Sequence, residues 1–306
     1  MISTARERRR ESCLGAFIGL AVGDALGTTL EFSDRDSEPP VTDMVGGGPF
    51  HLAPGQWTDD TSMALGLAES LLQFPGLDAA DCTARWSLWM NHGENSCTGT
   101  CFDVGNQTRR ALGGWRRGEP PAPTESAGNG AIMRLAPAFV RWHGDRDEAC
   151  RIAIGQSRLT HNNPLCDQAA AGMVDALFQA MEQGEAARPG LAPDAIRARR
   201  RSEIRSTGFV VDTMEAALWS VARSGNFREA VLTAVNLGDD ADTVGAVTGQ
   251  IAGALWGLSG IPAEWRRQLA WADRIETLAT RLFDAGISPG GKGPCCRGSP
   301  GPGSSS

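Results

Sequence analysis

The chain has no tyrosine, only four histidines and no Cys-x-x-Cys pair in its 306 residues, and each absence narrows what it can be. Without tyrosine, and with few alternating β-branched runs, a large β-sheet is not expected. The eight cysteines are scattered. Cys97 and Cys101 with so few histidines make a poor zinc site, and the set reads as free thiols in a reducing cytoplasm. No apolar run approaches the ~20 residues that a membrane span needs. Arg6 and Arg8–Arg10 ahead of residues 13–22 outline an export signal. Gly15 and Gly19 interrupt that stretch, however, and Leu14, Ile18, Ala21 and Ala25 recur at helical spacing, so a cytoplasmic protein is expected. A basic surplus is missing too: 29 Lys and Arg face 36 Asp and Glu, for a net charge of −7, which disfavours a nucleic-acid partner. There is no Gly-x-Gly-x-x-Gly fingerprint. Residues 286–292 imitate a Walker A loop but run into Gly293 where a hydroxyl is required. No Gly-x-Ser-x-Gly elbow exists, which excludes an α/β-hydrolase.

What is present is helical periodicity. Ala64, Leu65, Ala68, Leu71 and Leu72 form one apolar stripe, and Ala169, Met173, Ala176, Leu177 and Ala180 another. Further stripes run through 216–221, 244–255 and 269–283. Asp78, Asp145 and Asn226 stand where N-caps belong, and Gly93, Gly184 and Gly225 where helices stop. The fold class is all-α. Gly245, Ala246, Gly249, Ala252, Gly253 and Ala254 concentrate small residues in one helix. Glycine there costs ~1 kcal/mol against alanine, so close packing against a neighbouring backbone must offset the loss. Residues 186–205, with two prolines and an arginine cluster, read as a surface connection. Residues 1–288 are expected to form one domain, and the Gly/Pro/Ser-rich residues 289–306 a disordered tail.

Three acidic strings break apolar or glycine-rich surroundings: Gly23-Asp24-Ala25-Leu26-Gly27 with Glu31, Thr58-Asp59-Asp60-Thr61, and Gly238-Asp239-Asp240-Ala241-Asp242-Thr243. Each lies at the edge of a predicted helix, where Thr and Asp serve equally well as N-caps. Adjacent carboxylates such as Asp59 and Asp60 repel unless a cation sits between them, and oxygen-only ligands suit Mg²⁺ or Mn²⁺. Spacing leaves capping and metal binding open. Ser126-Ala127-Gly128-Asn129-Gly130 feeds a helical run over 131–135; it is either a phosphate-binding N-terminus or a plain turn. His161, in a polar loop over 157–164, is either a surface side chain or a ligand contact. Asp103, in Phe102-Asp103-Val104-Gly105-Asn106, either caps the next helix or transfers a proton.

Together these strings resemble the ADP-ribosylglycohydrolase family, and most closely its dinitrogenase-reductase-activating glycohydrolase branch. The resemblance rests on residues 15–27, 46–50, 54–63, 102–106, 126–133, 160–161, 208–213 and 236–245, in family order, and covers nearly the whole chain. It implies a compact single-domain orthogonal helix bundle around a binuclear Mg²⁺ or Mn²⁺ site, held by Thr58, Asp59, Asp60, Asp240, Asp242 and Thr243, with Glu31 at its edge. It sets the ADP-ribose diphosphate against Ser126, Gly128, Asn129 and Gly130, places His161 near the distal ribose, and adds Gly105 and Asn106 to the binding site. Asp103, with Glu31, is the catalytic expectation. The implied reaction is hydrolysis of the N-glycosidic bond between ADP-ribose and a protein side chain, most simply arginine, by a monomer acting on a mono-ADP-ribosylated protein and releasing ADP-ribose. Serine- or nucleic-acid-linked ADP-ribose, and a non-catalytic ADP-ribose reader, are the alternatives. Phe209 departs from the branch, which commonly has tyrosine there, so a hydroxyl contact is lost.

Overall fold

A computed structural model describes residues 4–286. The expected tail, the 288/289 boundary and Cys295 and Cys296 lie outside the described residues. The helices are α1 (Ala5–Gly27), α2 (Asp59–Gln73), α3 (Ala79–His92), α4 (Asn106–Trp115), α5 (Ala136–Arg141), α6 (Arg146–Arg158) and α7 (Pro164–Gln183). They continue with α8 (Arg188–Leu191), α9 (Asp194–Arg197), α10 (Val210–Arg223), α11 (Phe227–Val235), α12 (Ala241–Trp256), α13 (Ala263–Gln268) and α14 (Ala272–Gly286). Among the described residues there is no strand, only two isolated bridges, Gly47 with Leu52 and Gly128 with Phe209. No described helix is long and apolar enough to cross a membrane.

The packing begins with α1 against α12. Their small residues meet in antiparallel order: Cβ atoms built on Gly15, Gly19, Gly23 and Gly27 would lie 2.2, 2.2, 2.0 and 2.2 Å from the carbonyl oxygens of Gly253, Gly249, Gly245 and Ala241. No side chain fits there, so glycine at four-residue spacing is what lets the two backbones touch. The close approach brings the C-terminal end of α1 beside the N-terminal end of α12, which are two of the three acidic strings. Around the pair, one continuous core runs from Cys13 to Phe283 and includes the fully buried Trp57, Trp86, Trp89 and Trp265. Truncating any of these indoles to alanine costs ~3–5 kcal/mol.

Local signals were mostly obeyed. Asp78, Asp145 and Asn226 each accept a hydrogen bond from the backbone N–H three residues on, and Gly93 and Gly184 end α3 and α7. Three expectations need correction. Residues 131–135 are not a helix: a short 3-10 turn, Asn129–Ala131, precedes α5, and the Ile132 and Met133 carbonyls accept from the Gln250 side chain instead of a helical N–H. The 269–283 stripe is interrupted, because the Ala270 N–H goes to the Gly55 carbonyl and Trp271 takes a left-handed backbone before α14 starts. Residues 186–205 are more than a surface connection, since α8 and α9 lie within them and Leu191, Ala192 and Ile204 are buried.

Candidate active site

The three acidic strings and Asp103 converge. Asp24 leaves the last turn of α1, Asp59 and Asp60 open α2, and Asp240 and Asp242 open α12. Glu31 comes from the loop after α1 and Asp103 from the loop before α4. The loop after α1 is tied by backbone to the start of α12: the Phe32 N–H donates to the Asp239 carbonyl and the Asp239 N–H to the Ser33 carbonyl. Phe32, Asp103 and Asp239 all have left-handed backbones, with φ of 60°, 56° and 61°. That geometry is tolerable for aspartate but costly for phenylalanine, and such strain gathers at functional sites.

The capping readings fail. Thr58 and Asp240 occupy N-cap positions, yet neither side chain caps its own helix. The start of α2 is satisfied from α1 instead. Asp24 Oδ1 accepts from the Thr58 N–H and hydroxyl, both at 2.9 Å, and Oδ2 accepts from the Thr61 N–H at 3.0 Å and hydroxyl at 2.6 Å. Asp24 is thus a buried strut that orients Asp59 and Asp60. Asp103 does not cap α4 either; Gly105 is the N-cap, and the Asp103 carboxyl turns inward to meet those of Asp59, Glu31 and Asp242.

The chemistry of this basin calls for a cation. Thr58 Oγ1 lies 2.9, 3.3 and 3.0 Å from carboxylate oxygens of Asp24, Asp60 and Asp242, but it has a single proton to donate. Asp60 Oδ1, Asp242 Oδ1 and Glu31 Oε2 are buried without any hydrogen-bond partner. An unpaired buried carboxylate oxygen is costly unless it is protonated or bound to a metal. Every carboxyl is accordingly shifted upward. Burial lifts Asp59, Asp60 and Asp242, reinforced by neighbouring carboxylates, and it lifts Asp240 despite the amide of Asn129. Burial, then the charges of Asp103 and Asp240, push Glu31 to about 10, and burial pushes Asp103 to about 6. Two groups of oxygens could each hold a metal ion: Asp24, Asp60 and Asp242, and Glu31, Asp103 and Asp242, each within 4.8 Å of one another. Asp242 belongs to both. All the donors are oxygen, which suits a hard divalent cation.

Above the basin opens a cleft of about 380 Å³, lined by Glu31, Asp59, Asp103, Asp240 and Thr243 on one side and Ser126, Gly128, Asn129, Gly130 and His161 on the other. Gly105 and Asn106 lie on its rim. The 126–130 loop is held from two directions. The Asn129 N–H donates to the Gly208 carbonyl and the Val210 N–H to the Ala127 carbonyl, while the Ser126 hydroxyl donates to Gln107 Oε1 at 3.2 Å. The Asn129 amide is already engaged, donating to Thr213 Oγ1 at 2.9 Å and Asp240 Oδ2 at 2.6 Å, so it links the loop to the acidic basin. His161 is buried behind Gly128 and Gly130 rather than on the surface. Phe209 pairs through its backbone with Gly128 and keeps an exposed ring.

The expected residues lie in or just beneath one cleft, but of the six expected metal residues only Asp60 and Asp242 belong to the two close groups of oxygens; Asp59, Asp240 and Thr243 line the cleft instead, and some residues that were not expected join the site. Asp24 stood inside a string singled out for its charge, and its signal was visible: an acid amid residues 13–27, which carry no other charge. Arg134, which touches Thr160 behind His161, had only the faint signal of one cation in an apolar run. Gln107 had none, and Thr213 only its place at the end of the 208–213 string.

Comparison with known proteins gives concordant results. The sequence matches the family model described as ADP-ribosylglycohydrolase over residues 5–291. An ADP-ribosylarginine hydrolase Tri1 from Pseudomonas putida is 45% identical over 91% of this chain and 79% of its own. An ADP-ribosyl-[dinitrogen reductase] glycohydrolase from Rhodospirillum rubrum is 36% identical, over 90% and 95%. A solved structure titled ADP-ribosylglycohydrolase-related protein complex superposes with a TM-score of 0.78 at 40% identity, covering 92% of this chain and 99% of that one.

Proposed function

The chain belongs to the ADP-ribosylglycohydrolase family, and from that premise we propose that it hydrolyses the N-glycosidic bond joining ADP-ribose to an arginine side chain of a modified protein. The arginine linkage is supported by the relatives named ADP-ribosylarginine hydrolase, from Pseudomonas putida and Serratia proteamaculans, each 45% identical. The observation that carries the reading is the shape of the cleft: buried carboxylates face a glycine-rich loop across a space sized for a nucleotide-like ligand.

The roles are those the family resemblance implies, and the meeting of these residues at one cleft supports them. Ser126, Gly128, Asn129 and Gly130 would line the diphosphate, with His161 behind them and Gly105 and Asn106 at the rim. Thr58, Asp59, Asp60, Asp240, Asp242 and Thr243, with Glu31 beside them, would hold two Mg²⁺ or Mn²⁺ ions; of these Asp60, Asp242 and Glu31 belong to the two close groups of oxygens, whose other members are Asp24 and Asp103. Divalent cations held by these residues would supply a water of lowered pKa as the nucleophile. In the reaction a bond from water oxygen to C1″ forms, the bond from C1″ to the guanidine nitrogen breaks, and the guanidine leaves with a proton. Asp103, whose carboxyl lines the cleft among those of Asp59, Glu31 and Asp242, is suited to move that proton. Glu31 lies beside it, and buried carboxylates stabilise positive charge developing on the sugar. A reducing, cytoplasmic setting agrees with the unpaired cysteines among the described residues.

The test is a panel of arginine-, serine- and DNA-linked ADP-ribose, with ADP-ribosylated dinitrogen reductase as one protein substrate, each assayed with Mg²⁺, with Mn²⁺ and with chelator. The expected outcome is intact ADP-ribose from the arginine linkage only when a cation is present. AMP plus ribose phosphate would mark a phosphohydrolase instead, and tight ADP-ribose binding without turnover would mark a reader.

A further inference from the structure

Arg134 is the one lysine or arginine among the buried side chains of the described residues, with 0% of its surface exposed. No carboxylate pairs with it. Its guanidinium lies over the Trp86 ring, 4.2 Å from the centroid, and donates to Gln156 Oε1 at 2.9 Å and to Thr160 Oγ1 at 2.6 Å. Burial lowers it only to about 10, so it stays charged. Burying an unpaired cation is expensive, and the hydrophobic core does not need one.

The consequence is read in the next bond. Thr160 Oγ1 lies 2.8 Å from His161 Nδ1. Arg134 can only donate, so the threonine hydroxyl accepts from it and keeps its own proton to give. Thr160 is buried, and among the described residues His161 Nδ1 is the acceptor within its reach. Nδ1 is therefore the bare nitrogen and the ring proton resides on Nε2. A protonated imidazole is disfavoured by burial and by the Arg134 charge, which hold His161 down at about 3. Nε2 itself is aimed at the glycine loop. A Cβ on Gly130 would lie 3.0 Å from Nε2 and 2.6 Å from Cε1, and one on Gly128 3.2 Å from Nε2. The two missing side chains open the way from that N–H to the cleft.

We propose that Arg134 and Thr160 are positioning residues that lock His161 as the neutral Nε2–H tautomer and present a polarised donor to an oxygen of the ADP-ribose moiety. The use of that donor rests on the reading of the cleft as an ADP-ribose site; the lock itself does not. Arg134 supports the core as well as the relay, so the decisive variants are Thr160→Val, which keeps the shape and removes the hydroxyl, and Thr160→Ser, which restores it.

With four histidines in the chain, the imidazole ¹⁵N resonances of His161 can be assigned by comparison with His161→Gln. The wild type with no ligand is expected to show one protonated nitrogen, Nε2, unchanged from pH 5 to 8. Thr160→Val is expected to show tautomer exchange and roughly tenfold weaker ADP-ribose binding and higher KM, the scale of one hydrogen bond to a charged group, with kcat within about twofold. Thr160→Ser is expected to restore both. A wild-type Nδ1–H or mixed tautomer would overturn the lock. A clean Nε2–H tautomer together with ADP-ribose affinity that is equal in wild type, Thr160→Val and Thr160→Ser would overturn the presented donor. If the wild type keeps the tautomer but binds no ADP-ribose with cations present, it is the reading of the cleft that fails.

Discussion

Thr58 has one hydroxyl proton and three carboxylates in contact with it, and that mismatch sets the behaviour of the site residue by residue. Without cations each buried carboxyl must either stay an unpaired charge or take up a proton, and both cost stability, so a neutral amide in its place should stabilise the fold while removing the function. Asp242→Asn is expected to raise the melting temperature in chelator by a few degrees, for ~1 kcal/mol relieved, and to abolish ADP-ribose release. Differential scanning fluorimetry beside a product assay checks both; a variant that melts lower in chelator and keeps activity would contradict the account. The same carboxyls fix a pH dependence. Asp103 and Asp24 are each lifted by burial from an ordinary 3.8 to about 6, so the folded state binds more protons than the unfolded one. Their stabilisation is complete below pH 4 and is lost as pH climbs through 6. In chelator the melting temperature should therefore fall between pH 5 and pH 8, and saturating Mn²⁺ should abolish that fall. How far single residues were legible follows from the same physics. Asp59, Asp60, Asp240 and Asp242 announced themselves by adjacency, but that Asp24 would be a strut and Asn129 a bridge depends on which helix faces which, and that is not written locally.

Among the elements, the antiparallel glycine contact between α1 and α12 is the joint that places the site. A small-residue face was readable in the sequence, and so were the helices that wrap it, because apolar periodicity and caps are local. The partner and register of that face were not, since four glycines on α1 match the α12 row only in three dimensions. Gly249→Ala would put a Cβ 1.9 Å from the Gly19 carbonyl oxygen, with backbone on both sides and nothing flexible to yield. The expected cost is ~3 kcal/mol in urea unfolding, with weakened Mn²⁺ binding as α12 is pushed from α1. Gly172→Ala is the matched control. It lies within α7 with nothing within 4 Å of the added Cβ, and should instead gain up to ~1 kcal/mol. Equal effects for the two would remove the joint from the explanation. The misread segments share a cause as well: residues 131–135 and 269–271 spend their backbone groups on distant partners, Gln250 and Gly55, which no local pattern reveals.

At the scale of the whole molecule, charge is the organising problem. A chain of net charge −7 gathers Asp24, Glu31, Asp59, Asp60, Asp103, Asp240 and Asp242 under a cleft offered to a dianionic diphosphate. Among the described residues Arg134 is the only buried lysine or arginine, and it is committed to Thr160 and Gln156. Such a cleft repels its ligand wherever its carboxyls are ionised, and cations that hold them ionised also neutralise them, so the two binding events are coupled. Coupling of this kind is reciprocal: whatever factor Mn²⁺ contributes to ADP-ribose affinity, ADP-ribose contributes to Mn²⁺ affinity. Each carboxylate newly screened at effective protein dielectric is worth ~1 kcal/mol or more against a nearby phosphate, so a factor of at least about tenfold is expected. Two calorimetric titrations decide it, Mn²⁺ into free protein and into protein saturated with ADP-ribose, closed by the ADP-ribose titrations with and without Mn²⁺. Matching factors above ten would make the acidic basin and the glycine loop halves of one site. ADP-ribose bound equally well in chelator would mean that the loop recognises its ligand without the carboxylates, and the basin would then need another purpose.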